Sequence, residues 1–213
     1  MPPLSTLPVF AAASLALLVI PGPAVLYIVA RSSAQGPKAG LVSVLGVHTG
    51  SIVHVFAAVV GLSAVVMASS IVFTTVKAIG GIYLVYLGIR TILDSRAATA
   101  TTPPPPKPMR RLFLDGLVVN VLNPKVALFF LAFLPQFVDR AHGPIWSQTL
   151  VLGLLYIVLG LCSDGMYALV GGRAGRWLGR RAGLRRPTKY AEGGVLIGLG
   201  VTALLLPHRR IGK

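Results

Sequence analysis

Lys125 follows Asn123 and Pro124 in the middle of an apolar stretch, and Pro21-Gly22-Pro23 interrupts another apolar stretch near the start of the chain. Proline inside a helix removes an amide donor and clashes with the carbonyl one turn back. Ile20 and Gly22 each precede a proline and are steered away from helical backbone. The spacing therefore predicts a half-helix ending near Val19 and a second one starting with Pro23 at its first position. The amides of Ala24, Val25 and Leu26 would then face the break at the positive end of a helix dipole, a setting suited to an anion. Asn123, Pro124 and Lys125 repeat the device as N-cap, first residue and opening turn. A lysine there meets the same positive dipole and costs roughly 2.5–3.5 kcal/mol at mid-membrane. Two unfavourable terms in one place imply a resident or visiting anion. The upstream half-helices end in unpaired carbonyls, which suit a cation. Amides and carbonyls within a few ångströms fit a zwitterionic amino acid better than a sugar, a metal ion or a lipid.

Three further side chains could move protons. Asp164 is a carboxylate within an apolar segment, which suggests a proton relay, a cation contact, an ion pair with Lys125 or a place near the interface. His48 and His54 lie six residues apart on one predicted helix and so face different ways, which excludes a metal pair between them. Either can titrate near neutrality or serve as a hydrogen-bonded packing residue. Asp115 is expected at the interface, and Lys77 is expected to extend outward from the third span. Cys162, the single cysteine, excludes an intrachain disulfide and reads as a small buried hydrophobe. Gly46 and Gly50, and likewise Gly194 and Gly198, have the spacing for close helix approach.

The elements that must hold these residues are membrane helices. Only 12% of the 213 residues are charged, roughly half the share of a soluble domain. Apolar runs of about 20 residues recur, the length needed to cross a bilayer. Six spans can be drawn, near 5–30, 41–66, 71–93, 112–138, 145–171 and 191–207, giving an all-α polytopic membrane protein. The proline-rich stretch 94–111, with Pro103 to Pro106 in succession, cannot continue a helix and divides the chain. Three spans in 1–93 and three in 112–213 give halves of opposite orientation, an inverted repeat with broken helices 1 and 4. Matching breaks in two halves mark a transporter's binding site. The N-terminus lacks the basic region of a cleaved signal peptide, so the first apolar segment is expected to stay as a span.

The net charge of +15 comes from lysines and arginines between the apolar runs, without the interleaved aromatics of a nucleic-acid surface. Most of them fall in the loops after spans one, three and five, which predicts that both termini face outward. The arginine-rich stretch 173–189 is a topology signal that also meets anionic lipid.

In its motifs the chain resembles the LysE/RhtB-type amino-acid exporters. The likeness lies in Pro21-Gly22-Pro23, in Gly40-Leu41 with Gly46-Val47-His48-Thr49-Gly50, and in the run from Gly80 through Tyr83 to Gly88. It continues through Phe113-Leu114-Asp115-Gly116, Asn120-Val121-Leu122-Asn123-Pro124-Lys125 and Phe133-Leu134-Pro135-Gln136-Phe137, and ends in the glycines from Gly193 to Gly200. The resemblance implies a six-span inner-membrane exporter of amino acids or related metabolites, working in exchange for protons, and a homodimer. It alone supplies the outward direction. No cofactor is expected. The reading is then an alternating-access carrier with its site at Pro21, Gly22, Pro23, Ala24, Asn123, Pro124 and Lys125, lined by Tyr27 and Asn120. The alternatives are a metal-cation efflux carrier, for which the spans offer no ligand cluster, and an intramembrane enzyme or assembly protein, for which no catalytic signature is present.

Overall fold

The computed structural model describes residues 2–68, 70–93, 105–180 and 185–205. They are mostly helical, with no strand among the described residues. After a 3-10 turn at Leu4–Thr6 come α1 (Leu7–Val19), α2 (Pro23–Gln35), α3 (Pro37–Ala68) and α4 (Ser70–Leu93). The second part contains α5 (Met109–Val121), α6 (Pro124–Leu128), α7 (Ile145–Arg180) and α8 (Arg185–Leu205). The breaks fall where the prolines place them, with α1 ending at Val19 and both α2 and α6 opening on a proline.

The α1–α2 pair bends by 52° and the pair Met109–Val121 with Pro124–Phe137 by 47°. Each bent pair is long and apolar enough to count as one broken span, and Pro37–Gly61 and Ile145–Gly171 qualify as single spans. The apolar parts of α4 and α8 are shorter, Ala78–Leu93 and Gly193–Leu205, about 24 and 20 Å at the helical rise. Large apolar side chains cover the outside, among them Leu26, Ile52, Phe56, Ile82 and Val158. Water penalises so broad an apolar exterior, whereas lipid does not.

Three local features depart from the sequence expectation. Beyond α6 the backbone widens into a π turn at Phe129–Phe133 and then tightens into a 3-10 turn at Leu134–Phe137. Pro135 has no amide to give to Leu131, and the Leu134 amide reaches back to the Phe129 carbonyl. Helical backbone also extends further than expected into both ends of 173–189, since α7 continues to Arg180 and α8 starts at Arg185. The side chains of that stretch, and that of Lys77, lie outside the described residues, as does the first part of the proline-rich segment. Finally, Cys162 is exposed on the outer face of α7 rather than buried.

Helix α3 packs against α5 and α7, α4 against α8, and both α1 and α2 against α7. The two pairs of glycines at close-approach spacing do not behave alike. A Cβ on Gly46 would strike the Phe113 carbonyl, and one on Gly50 would meet Asn120, so these glycines let α3 and α5 touch. Gly194 and Gly198 have open space beside them; Gly193 and Gly200 carry the contact with α4, facing Gly88 and Gly81 respectively. Between α2 and α3, Gly36 adopts φ +88°, which favours glycine. Around the π turn, Phe10, Phe129, Phe130, Phe133, Phe137 and Tyr156 form a buried aromatic cluster. That cluster fixes the start of α1 against the second break.

Candidate functional site

At the first break Ile20 and Gly22 are extended, as a residue before proline must be. The carbonyls freed at the end of α1 are bonded from distant parts of the chain. Val19 O accepts the Tyr167 hydroxyl at 2.6 Å, and Ile20 O accepts Lys125 Nζ at 3.1 Å. The Leu26 amide, expected to face the break, bonds Gly22 O at 2.9 Å, so the amides of Ala24 and Val25 remain at the helix start without an intrahelical acceptor.

The second break is built around two asparagines. Asn123 Oδ1 accepts the Lys125 amide at 3.1 Å, the N-cap bond its position predicts. Asn120 donates from Nδ2 to Ser51 Oγ at 3.0 Å, while its carbonyl lies 3.0 Å from His54 Nε2 and accepts the Asn123 amide. Asn120, Asn123 and Lys125 are all buried.

His48 and Asp164 form a buried pair between α3 and α7, with His48 Nε2 3.0 Å from Asp164 Oδ2. Gly160, one turn before Asp164, makes the approach possible: a Cβ there would overlap the imidazole Cε1. Asp115 belongs to a separate, more exposed cluster, in ion pairs with Lys107 at 2.7 Å and Arg111 at 3.0 Å.

A cavity of about 30 Å³, room for one or two waters, lies where the two breaks meet. Ile20, Gly22 and Ala24 border it from the first break, and Asn120, Asn123 and Lys125 from the second. His48, Ser51 and Asp164 add polar groups, and Leu17, Leu18, Val25, Val47, Val126 and Tyr156 form its apolar wall. Pro21, Pro23 and Pro124 shape the turns without lining the cavity. Tyr27 and His54 are directed elsewhere. The Tyr27 hydroxyl donates to Leu112 O at 2.8 Å beneath the Arg31 guanidinium, and the His54 ring stacks on Phe130. Ser51, Tyr156 and Tyr167 were not among the residues expected at the site. Ser51 follows His48 by three residues and so shares its face of α3, while Tyr156, Gly160 and Asp164 recur at four-residue spacing along α7. Those two stripes were the available signals.

An apolar helical bundle with two broken spans meeting at a buried polar cavity defines a polytopic membrane protein. More particularly, the chain belongs to the LysE type translocator family, whose model matches residues 15–206. It is 28% identical to the uncharacterized membrane protein YrhP of Bacillus subtilis, over 87% of this chain and 91% of that one. It is 30% identical to an uncharacterized membrane protein of Synechocystis, over 91% of this chain and 92% of that one. The leucine efflux protein of Salmonella typhimurium is 27% identical over 86% of this chain and 84% of its own. No solved structure matches the chain significantly.

Proposed function

We propose that this protein is a secondary carrier that exports a small amino acid with an aliphatic side chain across the bacterial plasma membrane in exchange for protons. The observation that carries this reading is the shared cavity of the two breaks. Its wall includes the first turn of α2, whose opening amides lack an intrahelical acceptor, and the Lys125 ammonium, both suited to a carboxylate, together with the Asp164 carboxylate, suited to an ammonium. Leu17, Leu18, Val25, Val47 and Val126 make much of the remaining wall aliphatic. A free amino acid is zwitterionic, so both of its charges need partners once water is removed. The likeness to leucine efflux proteins agrees with an aliphatic side chain and supplies the outward direction.

The cavity is several times too small for an amino acid, so transport requires the two parts of the chain to move apart around it. Halves 1–93 and 112–213, each with three spans and joined through 94–111, are the moving units in this reading. The similar bends at the two breaks support it, as do the pairings of α3 with α7 and of α4 with α8, which join corresponding helices of the two halves.

Counterflow of radiolabelled amino acids into proteoliposomes tests the proposal. Saturable exchange is expected, strongest for leucine and its neighbours in size. Absence of exchange for every amino acid, with correctly inserted protein, would overturn it.

A further inference from the structure

His48 and Asp164 are 4% and 2% exposed, and their one hydrogen bond joins Nε2 to Oδ2. The second polar atom of each, His48 Nδ1 and Asp164 Oδ1, is buried without a hydrogen-bond partner among the described residues. An unpartnered polar atom away from water is costly, so each of these two atoms is a place for a further partner. Both residues line the cavity. Gly160 leaves the space the imidazole occupies, so the backbone of α7 is adapted to this contact.

We propose that Asp164 neutralises one of two cations in turn, the second proton of His48 or the ammonium group of the substrate. In the proton-loaded state His48 is an imidazolium, with Nε2–H donating to Asp164 Oδ2 and a proton on Nδ1. When substrate arrives, its ammonium takes Asp164 Oδ1. The Nδ1 proton then leaves to water in the opened cavity, and Nδ1 keeps its lone pair. The Nε2–H bond to Oδ2 persists in both states, so the pair need not separate. Like charges a few ångströms apart disfavour each other, and Lys125 is already a cation in the same cavity, so double loading is suppressed. A site that holds proton or substrate, but not both, converts an inward proton gradient into outward substrate movement.

The charged and titratable groups that face the pair are compatible with this role. Lys125 contributes from α6, and Tyr156 and Tyr167 from α7 itself. The Tyr167 hydroxyl is bonded to Val19 O. His54, farther along α3, is held on the Asn120 carbonyl, and α1, α2 and α5 place no charged side chain in the cavity wall. An imidazole suits the task because its charge changes nearest to neutral pH.

This assignment rests on the reading of the cavity as an amino-acid site, and the experiment separates the two. Binding of L-leucine, or of whichever standard amino acid exchanges in proteoliposomes, is measured on the full chain from about pH 5.5 to 8.5. In the acidic part of that range, where proton and substrate compete, the apparent Kd is expected to rise up to about tenfold for each unit by which the pH falls. About one proton should be released for each substrate bound in that range. In His48→Gln, whatever binding remains should no longer vary with pH. If an amino acid exchanges but the wild-type Kd is flat with pH and no proton is released, the assignment is overturned and the carrier reading stands. Retention of the full pH dependence in His48→Gln overturns it equally. If no amino acid exchanges at all, both fall together.

Discussion

The ammonium of Lys125 lies 3.1 Å from the carbonyl oxygen of Ile20, tying the second helix break to the last turn of the first. A lysine in the opening turn of a half-helix is at the wrong end of that dipole. Here it also reaches the negative end of α1, where a carbonyl has lost its intrahelical donor. Each break therefore relieves part of the electrostatic cost of the other. Any motion that separates the two breaks must remake this bond. In the proposed transport cycle a substrate carboxylate competes for it.

Lys125→Ala removes the charge without adding bulk. The loss of a charge-assisted hydrogen bond to substrate, about 1.5–3 kcal/mol, corresponds to roughly a 10- to 150-fold fall in affinity. Val19 O keeps its Tyr167 partner, so the protein should still insert and remain monodisperse. Counterflow together with size-exclusion of the detergent-solubilised variant checks both parts. Normal transport by the variant would remove Lys125 from the site.

Gly160→Ala and Gly165→Ala make a matched pair on α7. A methyl at 160 collides with the His48 imidazole, whereas the space beside Gly165 is open within 4 Å. The first substitution should displace the ring, weaken the contact with Asp164 and lower exchange several-fold. The second should leave exchange within about twofold of wild type. Parallel transport assays at neutral pH decide it; equal rates in the two variants would show that the imidazole position does not matter.

The α4–α8 seam makes a prediction about stability rather than transport. A Cβ on Gly88 would lie 2.6 Å from the Gly193 carbonyl oxygen, and one on Gly200 equally close to that of Gly81. Gly88→Ala and Gly200→Ala should each destabilise the bundle by about 1–3 kcal/mol through overpacking. Gly194→Ala and Gly198→Ala, with nothing within 4 Å, should be nearly neutral or slightly stabilising. Thermal unfolding in detergent distinguishes the two sets.

Cys162→Ala should yield a functional cysteine-less protein. The side chain faces outward from α7, so its loss opens no cavity, and the expected change is within about 0.5 kcal/mol. Exchange rate and unfolding temperature should match those of wild type. A marked loss of stability would mean that another surface covers this face.

Much of the architecture was legible because its causes are local. Pro21, Pro23 and Pro124 forbid continuous helix wherever the chain places them, and Asn123 caps the restart through an atom two residues from its acceptor amide. The apolar runs identify a membrane protein because the cost of exposing them to water accumulates along the sequence. Helix faces were less legible. Gly194 and Gly198 have the right spacing for contact, but spacing does not say which side of α8 meets α4; the partner helix selects Gly193 and Gly200. Cys162 was misjudged for the same reason, since an apolar residue in a membrane helix gains nothing by turning inward.

The sequence by itself therefore determined where the helices break, which residues open each restart, and that the chain lives in lipid. These follow from bonds and clashes spanning a few residues, or from summed hydropathy. Only the tertiary structure decided that Lys125 reaches Ile20 and that His48 bonds Asp164. It likewise decided that Tyr27 and His54 turn away while Ser51 and Tyr156 line the cavity. Those pairings join residues far apart in the chain, and they depend on the rotation of each helix about its own axis. Side-chain packing between helices sets that rotation, and no local preference encodes it.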